Sequence, residues 1–182
     1  SIDDPLTLSQ FQDSQNRIRS MALIHERLYR SDDLACIDFG TYLCDLAESL
    51  IQTYRRQAQS VSLKVEVDTV MLDIDTAIPC GLIVNELVSN ALKHGFPNGR
   101  RGQVGVEIRQ VGANEQYRLV IWDDGVGMLA GVDVWNTSSL GLQLVNSLIR
   151  QIGGTVELCR EGGTKFDIRF SGLNRRVQER AV

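Results

Sequence analysis

Apolar residues near the start of the chain recur close to every seventh position, with polar residues between them. This spacing predicts one helix over the first 31 residues, with an apolar seam along one side. The polar residues 31–33 are expected to end the helix, so a boundary near residue 33 separates it from the rest of the chain. The seam residues are Phe11, Ile18, Met21, His25 and Leu28.

The rest of the chain alternates between helical and strand-like periods. We expect Asp75 or Thr76 to be the N-cap of the central helix, with Pro79 in its first turn and Gly95 as its stop. Helical spacing predicts helices over about 38–58, 75–94 and 140–152. Alternation of apolar and polar residues predicts half-buried strands over 61–67, 103–111, 117–122, 155–159 and 165–170.

The strands occur mostly in consecutive pairs, with helices inserted between the groups. This order predicts an α+β fold, a two-layer α/β sandwich with a mixed, mostly antiparallel sheet and helices on one face. The polar residues at the end of the chain are expected to be frayed. Three segments result, namely the seam helix at 1–33, a compact domain at 34–172 and a polar tail at 173–182.

Composition excludes several classes of protein. A net charge of −4 over 182 residues provides no global field for nucleic acid or anionic membrane. No apolar run approaches the roughly 18 residues of a membrane-spanning helix, and no signal peptide is visible. Because the first residue is Ser1 and not Met, we expect a piece of a longer cytoplasmic protein. Without a C-x-x-C pair, small core residues are expected, not zinc ligands, at Cys36, Cys44, Cys80 and Cys159.

A first polar cluster lies on the central predicted helix. Glu86, Asn90, Lys93 and His94 are spaced so that they form one stripe on an α-helix. Carboxylate and amide oxygens can hold Mg²⁺ directly or through water, and an ammonium group can neutralise a phosphate. The stripe therefore suits a metal–polyphosphate ligand, and it is equally what the solvated face of an amphipathic helix presents.

A second cluster directly follows a predicted strand and consists of Asp123, Asp124, Gly125 and Gly127. A carboxylate at the end of a strand can accept a hydrogen bond from an exocyclic amine such as N6 of adenine. The two glycines allow close approach of the backbone to a ligand. The other interpretation is an ordinary loop that contains turn glycines.

Two further clusters lie closer to the end of the chain. Residues 138–143 open a helix, and the free N–H groups at such an N-terminus favour phosphate, although Ser138 or Ser139 could simply cap the helix. The sequence Gly162-Gly163-Thr164 could be a plain hairpin turn. It could also bring the Thr164 hydroxyl against a bound base beside the carboxylate of Asp123.

The order and spacing of these four clusters, over about residues 60–170, resemble the catalytic domains of sensor histidine kinases. Those domains belong to a wider ATPase superfamily shared with gyrase, MutL and Hsp90. The pattern N-E-L-x-x-N-A-x-K-H at 85–94 is similar to the subgroup called HWE-like or HisKA-2-like. Residues 14–29 resemble the second helix of that subgroup's dimerisation domain.

This resemblance implies ATP and Mg²⁺ as cofactors. Asn90 would be the Mg²⁺ ligand, Glu86 would assist the metal or orient a water, and Lys93 would contact phosphate. His94 would lie near the ribose or the phosphates, and Asp123 would bind the adenine amine.

The resemblance also assigns the glycine-containing segments. Gly125 and Gly127 would shape the pocket, and Thr164 would close the adenine site. Between Gly127 and Gly141 the chain departs from the family, because a Phe-rich motif is replaced by a loop that holds Trp135. The phosphate-side segment of the nucleotide site would be Ser139, Leu140, Gly141 and Leu142.

The phosphoacceptor histidine is expected to lie on a preceding helix, outside this chain. His25 is followed by Glu26, as at many acceptor sites, but it occupies a seam position and is expected to be a packing residue. A homodimer through the N-terminal helix and a response-regulator receiver domain are the partners implied. The alternatives are an ATP hydrolase or anti-sigma-type serine kinase of the same superfamily, or a nucleotide-binding module without kinase activity.

Overall fold

The structure, a computed structural model, describes residues 36–54, 59–112, 116–128, 134 and 139–172, and seven residues of the N-terminal segment. All seven are helical and exposed, and they include Phe11 and Ile18 of the predicted seam. The other three seam residues, including His25, lie outside the described residues, as does the predicted tail at 173–182. The seven are Phe11, Ser14, Gln15, Ile18, Arg19, Ala22 and Glu26.

Seven strands and three α-helices make up the rest of the described chain. The helices are α1 (Phe39–Thr53), α2 (Ile74–Asn90) and α3 (Leu140–Gln151). A π-helical turn at Ala91–Gly95 continues α2, and a 3₁₀ turn follows at Pro97–Gly99. The strands are β1 (Cys36–Asp38), β2 (Val61–Val67), β3 (Met71–Asp73), β4 (Gly102–Val111), β5 (Gln116–Asp123), β6 (Thr155–Cys159) and β7 (Thr164–Ser171).

Five of the strands form the main sheet, in the order β2–β4–β5–β7–β6. β2 and β4 are parallel, and every other neighbouring pair in this sheet is antiparallel. The α+β sandwich with a mixed, mostly antiparallel sheet is therefore confirmed. β1 and β3 form a separate two-stranded antiparallel ribbon. β1 was not predicted, because three residues are too few for alternation to be recognised.

The core lies between one face of the main sheet and the three helices. Over 104–108 of β4 and 117–123 of β5, every second residue is buried on this face, whereas Glu107, Arg109 and Arg118 occupy positions of the opposite parity. The core side chains of these two strands are Val104, Val106, Ile108, Leu119 and Ile121. Asp123 has the same parity as Leu119 and Ile121, so the strand directs its carboxyl towards the helices.

The open face of the sheet is stabilised by charged pairs between strands. Arg109 donates to Glu66 at 2.9 Å, and Arg118 donates through Nε to Asp167 at 2.9 Å. The Arg118 guanidinium holds the pKa of Asp167 below its ordinary value. Because the helices cover only the other face, the apolar cavity described below lies on the helix side of the sheet.

The N-terminus of α2 differs from the prediction. Its N-cap is Asp73, whose carboxylate accepts from the Thr76 amide at 2.9 Å, and not Asp75 or Thr76. The helix therefore begins earlier than expected, and Pro79 lies in its second turn, where it removes one intrahelical hydrogen bond. At its other end α2 becomes a π-helical turn and does not continue as a regular α-helix to His94.

Other expectations change in detail. α1 begins at Phe39 and ends at Thr53, whereas a helix over 38–58 was expected. Cys80 is buried in the core, but Cys36 and Cys44 are only half-buried and Cys159 is exposed, so the expectation of four core cysteines was wrong. Within the described part of the chain, no helix has both the length and the apolar character needed to cross a membrane.

Candidate nucleotide-binding site

A cavity of about 160 Å³ lies between the end of α2, the paired strands β5 and β7, and the start of α3. A cavity of roughly 150 Å³ is enough to enclose one aromatic ring. Predicted residues in its wall are Asn90, His94, Asp123, Gly127, Ser139, Leu142 and Thr164. Residues that the sequence did not single out are Leu87, Ala91, Gly95, Ile121, Trp122, Met128 and Phe166.

Asp123 is the buried acceptor in this wall. It is the last residue of β5, is 8% exposed, and is paired in register with Thr164 of β7. Its carboxylate accepts from the Gly125 amide at 2.9 Å and from the hydroxyl and amide of Thr164. Burial raises the pKa of Asp123 above its ordinary value, although these hydrogen bonds act in the opposite direction. The result is an acceptor held in a fixed direction beside an apolar cavity.

The loop after β5 lies directly against the π-helical turn. The Val126 amide donates to the Gly95 carbonyl at 2.9 Å. A Cβ atom on Gly125 would lie 2.3 Å from that carbonyl oxygen, so only glycine allows the approach. Gly127 has a φ of 73°, in the left-handed region that favours glycine. Gly125 therefore serves the contact between loop and helix, whereas Gly127 lies against the Gly163 carbonyl of the β6–β7 hairpin and also lines the cavity.

The hairpin between β6 and β7 completes the wall. Gly163 has a φ of 137°, and a Cβ atom there would lie 1.9 Å from the Asp123 carbonyl oxygen. This close approach brings Thr164 beside Asp123. The segment is therefore a hairpin turn, as one interpretation of the fourth cluster had it, and it places Thr164 at the buried carboxylate. That Thr164 contacts a bound base stays a prediction.

The predicted stripe on the central helix is divided by the π-helical turn. Asn90 and His94 line the cavity. The Lys93 ammonium instead lies 5.5 Å from the centre of the Tyr54 ring, at the end of α1. The wider i→i+5 turn changes the direction of residues after Asn90, so the α-helical spacing used for the stripe no longer applies.

Glu86 is placed differently from the other polar residues of this helix. It is only 4% exposed, and one carboxylate oxygen is 3.4 Å from the donating side-chain amide of Asn85. The wall that the described residues form around the cavity does not include Glu86, Lys93, Gly125, Leu140 or Gly141. The roles predicted for these residues remain predictions.

The start of α3 forms the remaining side of the cavity. Ser139 is the N-cap residue, has an extended backbone, and makes no side-chain capping hydrogen bond to the helix. Leu142 lies in the cavity wall, whereas Leu140 is 65% exposed. The first backbone N–H groups of α3 are therefore near the mouth of the cavity, where a helix N-terminus favours an anion.

Residues 76–173, which contain every wall residue, match the family model described as histidine kinase-, DNA gyrase B- and HSP90-like ATPase. The chain belongs to this ATPase family. Residues 1–54 of this ATPase-family chain match a second model, described as histidine kinase. That second match extends past the boundary expected near residue 33 and includes α1, although α1 contributes to the same core as α2.

Relatives of this ATPase-family chain include named histidine kinases. It is 32% identical to blue-light-activated histidine kinase 2 of Erythrobacter litoralis, over 86% of this chain and 45% of the relative. It is 30% identical to the sensor histidine kinase PdtaS of Mycobacterium tuberculosis, over 86% of this chain and 31% of that protein. The chain therefore spans less than half the length of the curated relatives it matches.

The fold has a close counterpart among solved structures. The histidine kinase domain of the E. litoralis EL346 blue-light-activated histidine kinase superposes with a TM-score of 0.82. The match covers 91% of this ATPase-family chain and 77% of that domain, at 26% identity. The similarity thus extends beyond the ATPase region to most of the chain.

Proposed function

We propose that this chain is the ATP-binding catalytic part of a sensor histidine kinase. It would bind Mg-ATP and transfer the γ-phosphoryl group to a histidine outside the chain. The observation that carries the proposal is that Asp123 and Asn90, two motif residues 33 positions apart, line one cavity. The match of residues 1–54 to a histidine kinase model favours this activity over the hydrolase, serine-kinase and binding-module alternatives.

Adenine fits the chemistry of one end of the cavity. The carboxylate of Asp123 would accept from the exocyclic amine, and the Thr164 hydroxyl would hold that carboxylate in place. Apolar side chains would contact the faces of the ring, and their burial would contribute most of the affinity at this end. Those side chains are Leu87, Ala91, Ile121, Met128 and Phe166.

The phosphates would lie towards Asn90, His94 and the start of α3. Mg²⁺ is commonly held by few protein oxygens together with substrate phosphates and water, and Asn90 supplies one such oxygen in the cavity wall. Among the described residues, His, Cys, Asp and Glu form no cluster that could hold a metal without the nucleotide. Mg²⁺ would neutralise phosphate charge, and Glu86 would act on it only through an intervening group, because Glu86 is outside the wall.

Lys93 and the α3 segment would complete the phosphate end. For Lys93 to contact a phosphate, its ammonium would have to leave the face of the Tyr54 ring. Gly141 and Leu140 would keep the start of α3 close to the phosphates, as the family motif implies.

The remaining partners follow from the kinase assignment. A second copy would pair through the N-terminal helix, where the described seam residues Phe11 and Ile18 are exposed. A receiver-domain aspartate of a response regulator would then take the phosphoryl group from the histidine. This chemistry would place the chain in the cytoplasm.

Calorimetric titration with Mg-ATP tests the nucleotide site. A hydrogen bond to a charged group contributes roughly 1.5–3 kcal/mol. We therefore expect Asp123→Asn to weaken Mg-ATP binding by about 10- to 100-fold. Asp124→Asn is the matched control, because the Asp124 carboxylate accepts from the Gln103 amide in the sheet. Absence of binding by the unaltered chain, or equal binding by Asp123→Asn, would overturn the proposal.

Labelling with γ-labelled ATP tests where the acceptor lies. We expect the chain alone to incorporate no label, since its acceptor histidine lies outside it. Incorporation that is lost in His25→Gln would instead make His25 the acceptor.

A further inference from the structure

Asn146 makes a buried contact that neither the cavity nor the family motifs explain. It lies on α3 and is 7% exposed, and its side-chain amide donates to the Val134 carbonyl at 2.7 Å. Val134 is 2% exposed and belongs to the hydrophobic core. A buried carbonyl needs a donor, and an apolar residue at position 146 would leave it without this one.

The position of Val134 in the chain gives this contact its significance. Val134 lies six residues after Met128 and five residues before Ser139, and both of these line the cavity. Because a chain of five or six residues has a limited reach, a contact that fixes Val134 limits how far Met128 and Ser139 can move from it. Asn146 thus contacts a residue that lies between two parts of the cavity wall, without itself lying in that wall.

We propose that Asn146 is a positioning residue for nucleotide binding, which acts by holding Val134 against α3 and so fixes Met128 and Ser139 at the cavity. The proposal rests on the proposed function, since the ligand is ATP. Without the hydrogen bond from Asn146 to Val134, the cavity wall would occupy the binding-competent arrangement for a smaller fraction of the time. Apparent affinity falls in proportion to that fraction.

Two substitutions in the full 182-residue chain separate this role from packing. Asn146→Leu keeps the branching at Cγ but has no donor, and Asn146→Asp replaces the donor by a second acceptor. At pH 8 we expect both to bind the Mg²⁺ complex of a non-hydrolysable ATP analogue about three- to tenfold more weakly than the unaltered chain. Ser147→Ala, an exposed neighbour on α3, should stay within about twofold.

A change of pH tests whether the hydrogen bond to the Val134 carbonyl, and not the size of the side chain at position 146, sets the affinity, while melting temperatures measured at the same two pH values report its effect on stability. A protonated aspartic acid can donate its O–H to the Val134 carbonyl, and burial beside a carbonyl favours the protonated form. At pH 5.5 we therefore expect Asn146→Asp, but not Asn146→Leu, to approach the affinity of the unaltered chain. Ratios taken at one pH remove the titration of Asp123, which all variants share.

The outcomes are distinct. Variants that melt at a lower temperature but bind the analogue as well as the unaltered chain would overturn the positioning role. So would a deficit of Asn146→Asp that stays constant with pH. If Asn146→Leu does not fold, the comparison of Asn146→Asp at the two pH values decides alone. Absence of binding by the unaltered chain would overturn the proposed function, and this inference with it.

Discussion

The two ends of the cavity are built in different ways. At the base end, Asp123 and Thr164 are each 8% exposed and hydrogen-bonded to each other, and Gly163 has no room for a side chain. At the phosphate end, His94 and Ser139 are exposed. Close backbone contacts therefore form one end, whereas accessible side chains and a helix terminus form the other.

This difference indicates where binding is preorganised. The groups at the base end need no rearrangement to accept an amine, so little free energy is lost in ordering them. Lys93 at the phosphate end lies on the Tyr54 ring and would have to move. We infer that the base end determines which nucleotide binds and that the phosphate end is completed by the nucleotide and its metal.

The largest expected effect on Mg-ATP binding comes from a substitution that disrupts the base end. Gly163→Ala would place a Cβ atom 1.9 Å from the Asp123 carbonyl oxygen, in a backbone conformation that is essentially restricted to glycine. We expect no measurable Mg-ATP binding by calorimetry and a lowered melting temperature. Gly162→Ala is the control, because its φ is also positive but no described atom lies within 4 Å of the added Cβ. Its cost should be about 1–2 kcal/mol of stability, and equal effects of the two substitutions would contradict the close approach.

A second effect comes from pH. Because burial raises the pKa of Asp123, its carboxylate is protonated at a higher pH than an ordinary aspartate, and the neutral carboxyl group is a weaker acceptor for the adenine amine. We expect ATP affinity to fall by up to about tenfold for each unit below that pKa, until it approaches the affinity of Asp123→Asn at the same pH. A ratio of these two affinities that stays constant down to the ordinary aspartate range would show that the carboxylate does not bind the base.

The contribution of Asp123 to folding stability changes with pH in the direction opposite to that of a salt-bridged aspartate. The folded state binds the proton of Asp123 more tightly than the unfolded state, since its folded pKa is raised. Its contribution to stability is therefore lost as pH rises from the unfolded through the folded pKa. Acid should thus weaken nucleotide binding at this residue while it relieves the cost of burying the charge.

A smaller effect is expected at the metal. Asn90→Ala should weaken ATP binding about five- to tenfold in Mg²⁺, because one oxygen donor in the wall is lost. Without Mg²⁺ the same variant should bind ATP within about twofold of the unaltered chain. Calorimetry with and without a chelator measures both values. An equal loss under the two conditions would assign Asn90 to the nucleotide and not to the metal.

The smallest effect should be that of Lys93→Gln. A flexible ammonium that exchanges the Tyr54 ring for a phosphate gains little net free energy, since a cation–π contact is itself worth about 0.5–1 kcal/mol at an exposed site. We expect ATP to bind about threefold more weakly and adenosine to bind equally well. A lower melting temperature with unchanged ATP affinity would instead show that Lys93 only joins the helix end to α1.

The main sheet could be predicted because one of its faces is covered and the other is open. Alternation placed β2 at 61–67 and β6 at 155–159, the bounds that the structure has. The N-cap of α2 and the π-helical turn could not be predicted in the same way. Several polar residues near the start of α2 could have been its N-cap, so the local sequence did not identify Asp73. The π-helical turn lies against the loop after β5, a contact between distant parts of the chain that local sequence does not show.

For the site, the charged and polar residues were recognisable and the apolar ones were not. Asn90, Asp123 and Thr164 stood out because the polar clusters that contain them occur in one characteristic order and spacing. Leu87 and Phe166 are apolar, as core residues are, so the sequence cannot distinguish a residue of the cavity wall from a residue of the core. Gly95 was expected only as a helix stop, because its contact with Val126 joins distant parts of the chain.

The turn at Ala91–Gly95 holds one more residue than the α-helical turn that would replace it. Removal of a single residue there would close it to an α-helical turn and change the directions of the side chains and carbonyl groups within it. His94 would then leave the cavity, and the Gly95 carbonyl would no longer meet the Val126 amide. Chain length in this segment is therefore constrained as strictly as residue type, and neither insertions nor deletions should be tolerated between Asn90 and Phe96.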